Sequence, residues 1–302
     1  MVYTITFNPS IDYVMKTGDL SLGHTNRSLG ESISVGGKGI NVSLVLAEFG
    51  IKSTALGFVG GFTGDQLVKM LDCDSIITDF VRVVGGNTRI NVKLIGKEMT
   101  EINALGPNIS EKEVLVLLEK TDAITDGDTV VIAGSVSKNL PSDIYEKILE
   151  RLVERNIRIV IDATGELLLK TLKYKPFLIK PNVDELGDIF NTRIDCECDI
   201  VRYALELKKM GAVNVLVSMG KDGAVLVDEN GEVLKRKAVS ITAVNPVGAG
   251  DSMVAGFIAG ADIDYRTALD YGIAAGGATA CSEGLADKET IDKLLWQIDL
   301  DK

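Results

Sequence analysis

The chain has 302 residues, of which 46% are hydrophobic and 5% aromatic, and its formal charge is −11. This length and composition predict one globular unit with a large core and exclude a disordered chain. The acidic charge argues against a nucleic-acid surface, because duplex binding depends on clustered Lys and Arg. No apolar run reaches the roughly 18 residues of a membrane span, and the N-terminus has no signal-like pattern, so we expect a cytoplasmic protein that binds no membrane.

Cysteine and histidine are too sparse for the common metal and nucleophile chemistries. Cys196 and Cys198 are too close together for an ordinary zinc half-site, and Cys73 and Cys281 stand alone, so reduced thiols are expected. His24 is the one histidine, and no aspartate neighbours it in sequence. We interpret it as a surface residue and expect any general base to be a carboxylate.

From residue 36 onward, short apolar runs alternate with segments of helical spacing. The runs end in Gly, Asn or Thr, which predicts strands at 53–60, 128–134, 157–164, 176–182 and 213–220. Between them, Ser110 and Glu113 form a capping box, and Pro141 predicts the start of another helix. This alternation predicts an α/β fold with a doubly wound, mostly parallel sheet, helices on both faces and ligands at the carboxyl ends of the strands.

Two segments interrupt this alternation. Residues 88–104 alternate apolar and polar side chains around a turn at Gly96-Lys97, which predicts a hairpin with one apolar face. Residues 11–35 are also strand-like and rich in turns. The two segments either pair into a small β-sheet projecting from the core or form ordinary edge strands. A third hairpin at 223–239 is predicted to extend the main sheet.

Two glycine-rich loops precede predicted helices. In "NPVGAGDSM" (245–253), Gly248, Ala249 and Gly250 would present main-chain N–H groups to an anion at a helix N-terminus. Asp251, which follows them, is either a helix cap or a functional carboxylate. In "VGGKGINVS" (35–43), Lys38 either binds a phosphate or is a solvated lysine in a tight turn. Neither GxxxxGK(S/T) nor GxGxxG occurs in the chain.

Polar residues also follow predicted strands. Lys180, Asn182 and Glu185 could orient a metal-bound phosphate, although Asn182 could equally cap a helix. Asp12, together with Asn8, could bind sugar hydroxyls or cap a turn. The whole set favours a small phosphorylated ligand together with a nucleotide.

"GGKGIN" and "NPVGAGDSMVAGF", with the spacing between them, resemble the ribokinase-like (pfkB-type) carbohydrate kinases over essentially the whole chain. The segments "TFNPSIDYV", "TRINVKL", "TEIN", "KPFLIKPN" and "VSMG" most resemble the members that act on fructose 1-phosphate. Pro246 instead resembles the members that act on tagatose 6-phosphate. The resemblance implies ATP- and Mg²⁺-dependent phosphorylation of fructose 1-phosphate at its 6-hydroxyl, with tagatose 6-phosphate as the alternative substrate.

The resemblance also implies a role for each matching position. Asp251 would be the catalytic base, with the Gly248, Ala249 and Gly250 amides as an anion hole. For the substrate, the resemblance implies phosphate binding by Lys38 and Arg89 with Arg27, sugar binding by Asp12, Gly37 and Asn41, and a lid contact by Asn103. For ATP, it implies binding of the phosphates and Mg²⁺ near Lys180, Asn182 and Glu185. The nucleotide side would be lined by Ser218, Gly220 and Gly223. The Mg²⁺ ion itself would be held mainly by the ATP phosphates.

The resemblance implies a division of the chain as well. Residues 11–35 and 87–105 would form a β-sheet lid, often shared between the subunits of a homodimer in this family, over a core of 1–10, 36–86 and 106–302. The sequence argues against two other functions. The intact loop around Asp251 argues against a non-catalytic sugar-phosphate sensor, and the missing GxGxxG argues against a nicotinamide dehydrogenase.

Overall fold

The structure is a computed structural model that describes residues 1–136 and 140–300. Its strands are β1 (Val2–Thr6), β2 (Ser10–Lys16), β3 (Gly30–Gly36), β4 (Ser53–Gly60), β5 (Ile76–Thr78), β6 (Val81–Val83), β7 (Arg89–Ile95), β8 (Met99–Ile102), β9 (Thr129–Ala133), β10 (Arg158–Asp162), β11 (Leu178–Ile179), β12 (Asn214–Ser218), β13 (Ala224–Val227) and β14 (Val233–Arg236). The helices are α1 (Lys38–Glu48), α2 (Gly61–Met70), α3 (Glu111–Lys120), α4 (Ile144–Leu152), α5 (Gly165–Thr171), α6 (Val183–Ile189), α7 (Glu197–Lys209), α8 (Ala249–Gly260), α9 (Tyr265–Ala280) and α10 (Lys288–Leu300).

Ten strands form the central sheet in the order β14-β13-β12-β11-β10-β9-β1-β4-β5, with β6 also pairing with β4. All of its pairings are parallel except those of β13 with β12 and β14. Every residue of β4 and β9 is buried, because helices cover both faces of the sheet at these parallel strands. The carboxyl ends of β1, β9, β10, β11 and β12 therefore lie along one edge of the sheet.

Helices cover both faces of this sheet. Apolar side chains of α3, α4, α5, α6 and α7 pack on one face, and those of α1, α8, α9 and α10 pack on the other. Helix α2 joins α1 and β4 in a third cluster. This arrangement confirms the predicted doubly wound α/β fold.

A separate sheet has four strands in the order β3-β2-β7-β8, and its strand β2 follows β1 in the chain. The predicted hairpin is present as β7 and β8, and β7 pairs in parallel with β2, so the two segments that interrupt the alternation do meet. Ile90, Val92 and Leu94 project from one face of β7, and Arg89, Asn91 and Lys93 project from the other. The division into lid and core remains a prediction.

Two local expectations were wrong. The helix predicted to start at Pro141 begins at Ile144, because residues 141–143 form a turn that leads into Asp143 at its N-cap. Reduced thiols were also expected, but Cys196 and Cys198 form a disulfide at the start of α7, with their Cα atoms 5.3 Å apart. That spacing lies within the range a disulfide requires.

In the described part of the chain, none of the helices is long and apolar enough to cross a membrane.

Candidate active site

Asp251 lies in the first turn of α8, three residues after the N-cap Gly248. Gly248 has φ 84°, in the left-handed region that favours glycine. A Cβ atom at this position would lie 2.7 Å from Leu285 Cδ2. The Asp251 carboxyl is 5% exposed, and its Oδ2 accepts a hydrogen bond of 2.8 Å from Asn41 Nδ2. The glycine turn therefore starts the helix in the position that buries Asp251 beside α1.

Asp162, the last residue of β10, completes a charged cluster around Asp251. Lys38 Nζ donates to Asp162 Oδ2 over 3.1 Å, and Lys180 Nζ lies 3.7 Å from Asp162 Oδ1. A Cβ atom added to Gly250 would lie 3.1 Å from Lys180 Nζ, so the same ammonium group also adjoins the glycine turn. The site thus contains two buried carboxyl groups and two lysines.

The two carboxyl groups have opposite pKa shifts. Burial, followed by the negative charge of Asp162, raises the pKa of Asp251 to about 7, against the opposing effects of Lys38, Asn41 and Lys180. Burial alone would also raise the pKa of Asp162, but the positive charges of Lys180 and Lys38 hold it below its usual value. At neutral pH, Asp162 is therefore deprotonated, whereas Asp251 can gain or lose a proton.

Lys38 and Asn41 reach this cluster because α1 begins at the second glycine loop. Gly37 is the N-cap of α1 with φ 125°, and a Cβ atom there would lie 2.7 Å from Thr6 Cγ2. Burial lowers the pKa of Lys38, but the charges of Asp162 and Asp251 outweigh it and raise the pKa overall. Asn41, predicted from the resemblance to bind sugar, holds Asp251 in this structure.

Asn182 and Glu185 cap helix α6. Asn182 Oδ1 accepts from the Glu185 main-chain N–H over 2.8 Å, and Glu185 Oε2 accepts from the Asn182 N–H over 2.9 Å. The predicted helix cap is therefore present, and it fixes both side chains just after β11. Glu185 also lies close enough to Lys38 to raise its pKa, so this capped end borders the charged cluster.

The residues predicted to bind the nucleotide lie beside this capped end. Ser218 ends β12 and forms a β-bridge with Asn182. Gly220 and Gly223 follow in the turn between β12 and β13, with φ 57° and 101°. A Cβ atom at Gly223 would lie 2.0 Å from Arg236 O, so glycine is required there by both space and conformation.

Two of the residues predicted to bind the phosphosugar, Asp12 and Arg89, lie on the small sheet. Asp12 is buried on β2 and pairs with Lys93 of β7. Arg89 is half-buried, donates from Nε to Asn8 O over 3.1 Å and lines an open cleft of about 470 Å³ with Phe62, Asn87 and Leu105. Burial lowers the pKa of Arg89, and the charge of Asp12 opposes this shift. Arg27 and Asn103 are exposed, and their predicted contacts remain predictions.

Sequence reasoning missed two residues, Asp162 and Lys93. Asp162 ends the buried run "IRIVID", so its place at the carboxyl end of a predicted parallel strand was a usable signal. Lys93 alternates with apolar residues in "TRINVKL", which looks like the solvated face of a hairpin. Only the pairing of β7 with β2 shows that this face holds a buried carboxylate.

The fold and this site together define a carbohydrate kinase. Residues 5–291 match the pfkB family carbohydrate kinase, and the chain belongs to this family. It is 45% identical over 300 residues to 1-phosphofructokinase of Bacillus subtilis, covering 99% of this chain and 98% of that protein. It is 37% identical over 303 residues to D-tagatose-1-phosphate kinase of Bacillus licheniformis, covering 99% of each.

Solved structures agree with this assignment. Phosphofructokinase-2 of Escherichia coli, in complex with substrates and products, superposes with a TM-score of 0.93 at 27% identity and covers 99% of both chains. The protein is therefore an enzyme, a kinase of the family whose members transfer phosphate from ATP to carbohydrates.

Proposed function

We propose that this enzyme phosphorylates fructose 1-phosphate at its 6-hydroxyl, using ATP and Mg²⁺, to give fructose 1,6-bisphosphate. The observation that carries the proposal is the buried Asp251 carboxyl, with a pKa of about 7, at the glycine-rich start of α8. The curated relative of 45% identity is a 1-phosphofructokinase, which supports the choice of phosphosugar.

Asp251 would act as the general base. In the resting enzyme, Asn41 holds the carboxyl in one orientation. The Asp251 carboxylate takes the proton of the 6-hydroxyl as this oxygen attacks the γ-phosphorus of ATP, while the bond from that phosphorus to the ADP oxygen breaks. A pKa near the working pH is suited to this role, and positioned bases typically contribute roughly 10²–10⁴ in rate.

The charges around Asp251 would stabilise the transferring group. Lys38 and Lys180 lie on either side of Asp162, and the amides of Gly248, Ala249 and Gly250 open α8. Phosphoryl transfer depends mainly on positioning and charge neutralisation, which these groups would supply. Arg89, with Arg27, would hold the phosphate already on the sugar, as the resemblance implies. The resemblance implies the same role for Lys38, but its ion pair with Asp162 beside Asp251 supports a role at the phosphate in transfer instead.

The residues at the start of α6 fit a Mg²⁺ ion held mainly by the ATP phosphates. The capping box uses Asn182 Oδ1 and Glu185 Oε2, which leaves Glu185 Oε1 outside it. Carboxylate oxygen is the ligand that Mg²⁺ prefers in proteins. When bound, the ion would neutralise charge on the phosphates, while Glu185 and Asn182 would orient it.

The small sheet would act as a lid and as the contact between two subunits. Two of its strands, β2 and β3, lie between β1 and α1 in sequence, and β3 leads into the glycine loop before α1. One face of the sheet exposes apolar side chains such as Ile33 and Ile102. Closure of this sheet over the sugar would exclude water from the γ-phosphate.

A substrate panel tests the proposal. Purified enzyme with ATP and Mg²⁺ is assayed for ADP release with fructose 1-phosphate, fructose 6-phosphate, tagatose 6-phosphate and tagatose 1-phosphate. We expect the highest kcat/KM with fructose 1-phosphate, and a product whose phosphates lie on C1 and C6 by ³¹P NMR. A higher kcat/KM with a tagatose phosphate, which Pro246 and the Bacillus licheniformis relative favour, would overturn the choice of substrate. Binding without turnover of any of them would indicate a sensor.

A further inference from the structure

A cluster of polar side chains lies on one face of the small sheet. Strands β2 and β7 run in parallel with Asp12 opposite Asn91 and Ser10 opposite Arg89, so Ser10, Asp12, Asn91 and Lys93 all project to the same face. This face adjoins the glycine loop that precedes α1. A Cβ atom at Gly36 would lie 2.5 Å from Ser10 Oγ and 2.8 Å from Asp12 Oδ1. The cluster therefore borders the loop that leads into α1, the helix that carries Lys38 and Asn41.

Three donors converge on the Asp12 carboxylate. Ser10 Oγ and Asn91 Nδ2 donate to Oδ1 over 2.7 Å and 3.0 Å, and Lys93 Nζ lies 2.8 Å from Oδ2. Lys93 is the only cationic member of this set. The side chains of Lys93 and Asp12 are 12% and 13% exposed. A pair this deeply buried depends on both partners, because loss of either one leaves an uncompensated charge.

The geometry leaves part of this cluster free for a ligand. A carboxylate oxygen has two lone-pair sites, and among the described residues Oδ2 receives Lys93 alone, so one site remains for a further donor. A sugar hydroxyl is a donor of the right chemistry. Lys93 helps to hold the plane of the carboxylate in one orientation, because rotation out of that plane would break the ion pair and both other hydrogen bonds.

We propose that Lys93 is a positioning residue that fixes the Asp12 carboxylate for recognition of a sugar hydroxyl, and so determines affinity for the phosphosugar. This inference rests on the proposed function, in which Asp12 binds the sugar. Lys93 acts through Asp12 and not on the phosphate in transfer. Its loss therefore weakens sugar binding equally in the ground state and the transition state, and leaves the chemical step unchanged.

The test compares Lys93→Met with Lys97→Met. Lys97 lies in the turn of the same hairpin and pairs with Asp19 at the surface, where its side chain is 81% exposed. We expect Lys93→Met to raise the KM for the phosphosugar about tenfold or more, with kcat and the KM for ATP within about twofold of wild type, because sugar binding is weakened equally in the ground state and the transition state. Lys97→Met should match wild type in all three constants.

A double-mutant cycle separates positioning from a general effect on the sheet. If Lys93 acts through Asp12, then Lys93→Met should add less than about twofold to the KM of Asp12→Asn, because residues in one network are not additive. Lys93→Arg, which keeps the charge, should restore most of the affinity. A KM for Lys93→Met within about twofold of wild type, or KM effects that multiply fully in the double variant, would overturn the proposal.

Folding and substrate identity are controlled in the same experiment. ATP-dependent thermal shift shows whether each variant keeps the core intact. If Lys93→Met does not fold, the comparison of Lys93→Arg with Lys93→Gln replaces it, and equal KM values for those two variants would count against the proposal. The cycle is run with whichever phosphosugar wild type turns over fastest, so failure of the substrate assignment shows in wild type alone.

Discussion

As the proposed base, Asp251 would have to be buried to meet the transferring group and yet lose its proton to the solvent or to a neighbouring group before it could accept another. Burial and the charge of Asp162 raise its pKa to about 7, whereas Lys38, Lys180 and Asn41 keep it from rising further. Asp162, with its own pKa held down by the two lysines, remains negative beside it. The residues around Asp251 thus set the pH at which it becomes competent as a base.

A raised pKa also predicts how stability depends on pH. The carboxyl group of an unfolded Asp titrates near about 3.9, so folding favours the protonated form. The contribution of Asp251 to stability is therefore fully present below about pH 4 and is lost as the pH rises through about 7. Asp251→Asn removes this penalty at high pH.

We therefore expect the melting temperature of Asp251→Asn to exceed that of wild type by more at pH 8 than at pH 5. One kcal/mol corresponds to roughly 2–4 °C in a protein of this size, so a difference of a few degrees is measurable by calorimetry. Glu289→Gln, a change in an exposed surface pair with Lys293, is the control and should show no such trend. A constant difference between the two pH values would contradict the raised pKa.

Among the elements, the small sheet has one apolar face that is partly exposed in the described part of the chain. Tyr13, Ile33, Val92 and Ile102 lie in one row across its four strands, and Ile33 and Ile102 are each 59% exposed. Contiguous apolar surface of this kind marks an interaction site. A second copy of the same sheet would cover it with a matching row in an isologous dimer.

We expect the wild-type enzyme to be a dimer by light scattering at micromolar concentration and Ile33→Asp to be a monomer, because a charge in this row opposes burial of the face. Ile263→Asp is the matched control: Ile263 is 65% exposed on the core, between α8 and α9, and its replacement should leave the dimer intact. A monomeric wild type, or a dimer that survives Ile33→Asp, would exclude this interface.

Some elements were predictable from local sequence alone. The capping box of Ser110 and Glu113 is present as predicted, and the apolar run at 53–60 is β4, because caps and buried strands depend on neighbouring residues. The pairing of segments 11–35 and 88–104 into one small sheet is only one of two alternatives from the sequence, because these segments are far apart in the chain, and the parallel direction of β2 and β7 was not predicted. The late start of α4 was missed because Pro141 suits a turn as well as a first helical position.

At the scale of the whole molecule, the sheet brings together residues from distant parts of the chain. Asn41 and Asp251 are 210 residues apart and hydrogen-bonded, and Lys38 and Asp162 are 124 residues apart and paired. Alternating strands and helices predicted that strand-end residues share one edge. The same alternation did not predict which carboxylate pairs with Lys38, because the pairing depends on the order of the strands in the sheet and on how deeply each side chain is buried.

Turnover of fructose 1-phosphate by wild type and by Asp251→Asn shows whether Asp251 is the base of a phosphosugar kinase. The expected result is a fall in kcat of roughly 10²–10⁴, with the Kd for fructose 1-phosphate measured by calorimetry within about threefold of wild type, because the amide keeps the hydrogen bond from Asn41. An Asp251→Asn enzyme that retains kcat within about tenfold of wild type, less than a positioned base contributes, would contradict the account.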